Sequence, residues 1–134
     1  MIIYLIFSLI LICYYDIKTL EIPDSLVIAV ALSSFYYGFH WAWIIPLFAF
    51  ILCAFAAAAL NCDMPFGMGD AKLLSALTLS FGFEALCMIS IVSSLAAAVY
   101  ALFLIISGKA SKKDRIAFGP FIVLGFIFYF SRIY

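Results

Sequence analysis

Charge is scarce in this sequence: seven Lys or Arg and seven Asp or Glu among 134 residues, or 10%. A soluble domain carries about 25% charged residues. So few polar side chains cannot coat a globule in water, which argues against a soluble enzyme, a disordered tail, a coiled coil or a nucleic-acid binder. The formal charges cancel, so net charge points to no anionic partner. Histidine is nearly missing, with His40 alone, and Cys13, Cys53, Cys62 and Cys87 form no C-x-x-C pair. Neither a metal cluster nor a redox motif is expected. Without a phosphate loop or a G-x-S-x-G elbow, no cofactor is expected either. The cysteines read as small apolar packing residues.

Apolar side chain fills the space that charge leaves: 69% of residues are hydrophobic and 19% aromatic. Mean hydropathy is +1.30. Six apolar runs stand out, at Ile2–Tyr15, Ser25–Phe39, Trp41–Leu60, Asp70–Phe83, Ala85–Ile106 and Ile116–Arg132. They are continuously apolar rather than alternating, which favours helices over a barrel. The expected fold is all-α: a single polytopic membrane domain over 1–134 with about six transmembrane helices. The first, second and fourth runs fall short of the ~20 residues a full span needs, so they extend into polar flanks or sit in thinned bilayer.

Six spans place the segments 16–24, 61–72 and 107–115 on one side. These carry Lys18, Lys72, Lys109, Lys112, Lys113 and Arg115, against Arg132 alone opposite. That asymmetry predicts cytoplasmic polar loops and both termini outside. Tyr36, Tyr37, Trp41 and Trp43 flank His40 on the opposite side, as an aromatic belt does at the outer interface. Ala56–Ala59 and Ala96–Ala98 let helices approach closely.

Six of the seven acids, Asp16, Glu21, Asp24, Asp63, Asp70 and Asp114, share the expected cytoplasmic side with the cations. Asp16 ends an unbroken apolar run, and Asp70 follows Gly67-Met68-Gly69. Glycines there permit backbone angles that other residues avoid, and Asp70 can cap the helix that follows. Carboxylates at a membrane boundary are functional candidates. Two of them together share a proton, so one can draw a proton from water while the other polarises a carbonyl. Peptide hydrolysis by an aspartic pair needs no metal. The bland reading, two solvated helix-end acids, stays open on composition and spacing alone.

Three segments resemble the type IV prepilin peptidases, membrane aspartic proteases with a Gly-x-Gly-Asp motif. They are Asp16-Ile17-Lys18-Thr19-Leu20-Glu21-Ile22-Pro23-Asp24, Gly67-Met68-Gly69-Asp70-Ala71-Lys72-Leu73-Leu74 and Ala117-Phe118-Gly119-Pro120-Phe121. The resemblance covers nearly the whole chain. It implies that Asp16 and Asp70 are the catalytic pair. The partner it implies is a prepilin or pilin-like precursor in the lipid bilayer, at a prokaryotic cytoplasmic membrane. The cleaved bond would follow a short, usually basic leader ending in Gly. Ala117 stands where many relatives have Pro. Larger relatives carry a cytoplasmic region with paired cysteines and N-methyltransferase activity; this chain resembles the short, peptidase-only form. The alternative is a non-enzymatic transport or pilus-assembly subunit that uses the same acids for ions or partners.

Around the pair, Gly67 and Gly69 are expected to let the Asp70 segment bend toward Asp16. Lys72 either tunes Asp70, meets an acid of the substrate, or anchors at the interface. Phe118, Gly119 and Pro120 either shape a substrate groove or kink the last helix. Asp24 and Asp63 read as solvated loop acids.

Overall fold

A computed structural model describes residues 2–60, 67–109 and 116–133. Cys62, Asp63, Lys112, Lys113, Asp114 and Arg115, counted above, lie outside them. Among the described residues every regular element is helical. Helix α1, Ile2–Thr19, contains neither Gly nor Pro. It ends where Leu20 turns to a left-handed φ of 55° and donates its N–H to the Asp16 carbonyl. Pro23, with φ of −62°, then launches α2, Asp24–Ala31.

The second apolar run is helical over Asp24–Tyr37 with one irregularity. At Leu32 and Ser33, whose angles stay right-handed helical, the bonding tightens to three residues between α2 and the short α3, Ser34–Tyr37, which stops at Gly38 with φ of 115°. A 3-10 turn over Trp41–Trp43 leads into α4, Ile44–Leu60. Helix α5, Met68–Ile106, is continuous apart from Gly82, whose φ of 84° and ψ of −172° are not helical. Helix α6 is Gly119–Ile133.

Gly82 reverses the chain, as contacts along α6 show. Phe121 meets Tyr100, and Gly125 lies against Ile89 and Ser93, so α6 runs antiparallel to the second arm of α5. Phe126 and Tyr129 meet Phe81, while Gly119 lies at the end of α6 nearest the Asp70 end of the first arm. The first arm is therefore parallel to α6, and the two arms form a hairpin. Its tip packs on His40, whose N–H bonds the Leu79 carbonyl and whose ring lies over Gly82. The expected boundary between the fourth and fifth runs falls two residues from this break.

The core is apolar, with Leu5, Leu9, Ile12, Leu73, Leu77 and Ile122 fully buried, but the outside differs from that of a soluble protein. Small polar side chains, Ser8, Ser33, Ser75, Thr78, Ser80 and Ser93, are buried. Most bond the carbonyl one turn back, and Ser33 and Ser80 also meet across helices at 2.8 Å. Large apolar side chains such as Phe35, Phe48, Phe55, Val99 and Ile106 face outward. Two helical runs, Trp41–Leu60 and Met68–Ile106, each of hydropathy 2.5, are long and apolar enough to cross a membrane.

Candidate active site

Helix α1 buries one stripe: Leu5, Leu9, Ile12 and then Asp16. These positions, three or four apart, share a helix face. The first arm of α5 does the same from the other end, with Asp70, Leu73 and Leu77 on its buried stripe. Each acid thus sits at the last core-facing position of its helix, where the apolar stripe meets the polar segment. Asp16 is 5% exposed and Asp70 8%. Both line one cavity of about 320 Å³, with Leu20, Glu21, Ile22, Asp24, Gly67, Met68, Gly69 and Lys72. Their charges are close enough to act on one another.

Each carboxylate is held by a glycine N–H. Gly119 donates to Asp16 Oδ2 at 2.7 Å, from 103 residues away. Gly67 donates to Asp70 Oδ2 at 3.3 Å. Asp70 is the third residue of α5 and takes the N–H of the N-cap residue, half of a capping box. The expected capping role of Asp70 is therefore present, reached from inside the helix.

The glycines act differently from expectation. Gly67 has φ of −80° and ψ of 155°, ordinary extended backbone open to any residue. Gly69 lies within α5, and its value is closeness. A Cβ there would stand 3.1 Å from the Ile22 Cβ, so glycine lets the segment after α1 settle onto the start of α5. Lys72 has a partner that none of the expected roles named: it pairs with Asp24 across the cavity, Nζ to Oδ1 at 2.7 Å. Asp24, 67% exposed at its side chain, is solvated as expected but also tied to α5 by that ion pair.

Phe118, Gly119 and Pro120 are not among the residues that line the cavity. Phe118 packs against the hydrophobic core, and Gly119 is buried against Asp16. Sequence reading missed Ile22, Leu20 and Met68 as parts of the cavity. The buried stripe of α1, continued by one turn, was a signal that placed Asp16 inward. Among the described residues no three His, Cys, Asp or Glu side chains are grouped to hold a metal ion.

A pair of buried carboxylates beside an open cavity can bind water, take up one of its protons and return another to a leaving group. No curated protein and no solved structure matches this chain. The sequence pattern of the type IV leader peptidase family matches residues 3–102, a stretch that includes Asp16, Gly67, Gly69 and Asp70. By that match over most of its length, the chain belongs to the type IV leader peptidase family.

Proposed function

We propose that the protein is a membrane-embedded aspartic endopeptidase that removes the short leader from type IV prepilins or pilin-like precursors. Asp16 and Asp70 are its catalytic pair. The observation that carries this reading is the convergence of two buried carboxylates on one cavity, each oriented by a glycine N–H. Family membership supplies the reaction class, a peptidase.

In this reading a water lies between the two acids. The ionised carboxylate takes a proton as the water oxygen bonds to the scissile carbonyl carbon. The protonated one gives its proton to the carbonyl oxygen. Collapse of the tetrahedral intermediate breaks the C–N bond, and the departing amine receives a proton from the pair. Each carboxylate commits Oδ2 to a glycine; the chemistry uses the other oxygen. The substrate chain must be extended at the cleaved bond, because a helical carbonyl is already bonded to its own chain. Cleavage just before a hydrophobic helix meets that need.

Six membrane crossings are part of the proposal: α1, α2 with α3, α4, the two arms of α5, and α6. Lys18, Lys72 and Lys109 then lie with Asp16 and Asp70 at the cytoplasmic face, His40 lies opposite, and both termini are outside. The outward apolar side chains of α4 and α5 support lipid as the surrounding solvent.

Co-expression with a pilin precursor tests the function. Mass spectrometry of the mature N-terminus is expected to show cleavage after the leader Gly. Full leader removal by membrane-inserted Asp16→Asn or Asp70→Asn would overturn the catalytic assignment.

A further inference from the structure

Resting on that reading, we propose that Gly119 is a positioning residue for catalysis: its backbone N–H fixes Asp16 and selects it as the ionised member of the pair. The first turn of α6 carries few free donors. Pro120 has no N–H, and the N–H groups of Phe121 and Ile122 both reach the Phe118 carbonyl, at 3.0 and 3.2 Å. The N–H of Gly119 goes instead to Asp16 Oδ2 at 2.7 Å, in a buried setting. That is the short end of the N–H···O range, and a donated hydrogen bond favours the ionised form of the carboxyl that accepts it. The start of a helix adds a favourable field for negative charge.

Only glycine fits there without moving Asp16. A Cβ on residue 119 would stand 2.7 Å from Asp16 Oδ2, 3.1 Å from its Cγ and 3.2 Å from its Cβ. Rotating the carboxylate would relieve the first contact at the cost of the hydrogen bond, whereas the last atom is fixed to the α1 backbone and needs a shift of a few tenths of an ångström. Asp70 is held less closely, at 3.3 Å from its own N-cap. The unequal bonds divide the work: Asp16 draws the proton from water, and Asp70 supplies one to the carbonyl oxygen. Among the described residues, the other ionisable groups around Asp16 are Asp70, Glu21, Asp24 and Lys72 along the cavity and Cys13 on its own helix. Against Asp16, α6 brings the backbone N–H of Gly119.

Gly125 gives an internal control. It too is a close-approach glycine on α6, but its neighbours are Ser93 and Ile89. The test uses the full chain in bilayer discs, with a pilin-like precursor bearing a basic leader that ends in Gly. Displacing a catalytic group by an ångström lowers rate by about 100-fold. Gly119→Ala is expected to lose about that much kcat with KM unchanged. The acid limb of its kcat/KM profile should move to higher pH, because a lost N–H bond makes the carboxylate harder to ionise. Gly125→Ala should reduce the folded fraction while the folded enzyme keeps the wild-type pH profile.

An ester in place of the 118–119 peptide bond removes the N–H without adding bulk, and it serves if the alanine variant does not fold. The same shift is expected. A wild-type profile in either Gly119 variant, beside an inactive Asp16→Asn, overturns this inference alone. An active Asp16→Asn overturns the underlying reading as well.

Discussion

Alanine at position 125 puts a methyl group where α5 and α6 touch. Its Cβ would lie 2.6 Å from Ser93 Oγ, 2.8 Å from the Ile89 carbonyl oxygen and 3.2 Å from the Ile89 Cα. The hydroxyl is the end of a side chain, but the other two atoms are helical backbone and cannot step aside. Helix α6 must therefore back away, loosening Ile122, Val123 and Phe126, which are buried beside Gly125. Overpacking of this kind costs up to about 3 kcal/mol. Alanine recovers about 1 kcal/mol of helix propensity over glycine. The net expectation is a loss of about 2 kcal/mol. Ser93→Ala in the same chain removes the 2.6 Å clash but leaves the one at 2.8 Å, so it should restore less than half of the loss. Denaturant titration in mixed micelles, followed by circular dichroism, measures both. A Gly125→Ala variant as stable as wild type, or full recovery by Ser93→Ala, would refute the close α5–α6 crossing.

Gly82→Ala places a Cβ at φ of 84°, 3.2 Å from the His40 ring. It should destabilise by about 1–3 kcal/mol from the backbone conformation alone, read by the same titration; no change would contradict the reversal at this residue. The Asp24–Lys72 pair, with side chains 67% and 31% exposed, should show a coupling of only about 0.2–1 kcal/mol in a double-mutant cycle. Its larger effect should be on cleavage. Each single alanine variant is expected to slow leader removal and the Asp24→Lys, Lys72→Asp exchange to restore part of it, whereas an exchange worse than either single variant would count against the bridge.

Much of this organisation was legible in the residues because apolar length and charge placement are strong local signals. The runs that became α1, α4, the two arms of α5 and α6 were found, and so was the break near Glu84. The second run was read as one helix, and it is helical over Asp24–Tyr37 but with a local irregularity at Leu32 and Ser33. No Gly or Pro marks that irregularity, and Ser33 finds a partner in Ser80 from 47 residues away. The acids were legible by type and motif, but their orienting groups were not. The donor to Asp16 is a main-chain N–H on the last helix, and a backbone group leaves no trace in composition. The glycine roles were misassigned for a related reason. Sequence reports that a Cβ is missing, but only the fold shows whether that serves a turn, as at Gly82, or closeness, as at Gly69 and Gly119.

The central claim is that Asp16 and Asp70 work as one unit, and single-turnover cleavage by purified wild type, Asp16→Asn, Asp70→Asn and the double variant tests it most directly. Groups that share one chemical step lose nearly all their contribution when either is removed. Each single variant is expected to fall by about 1,000-fold or more, with the double variant no slower than the singles. Losses that multiply in the double variant, or wild-type cleavage by either single variant, would contradict the account.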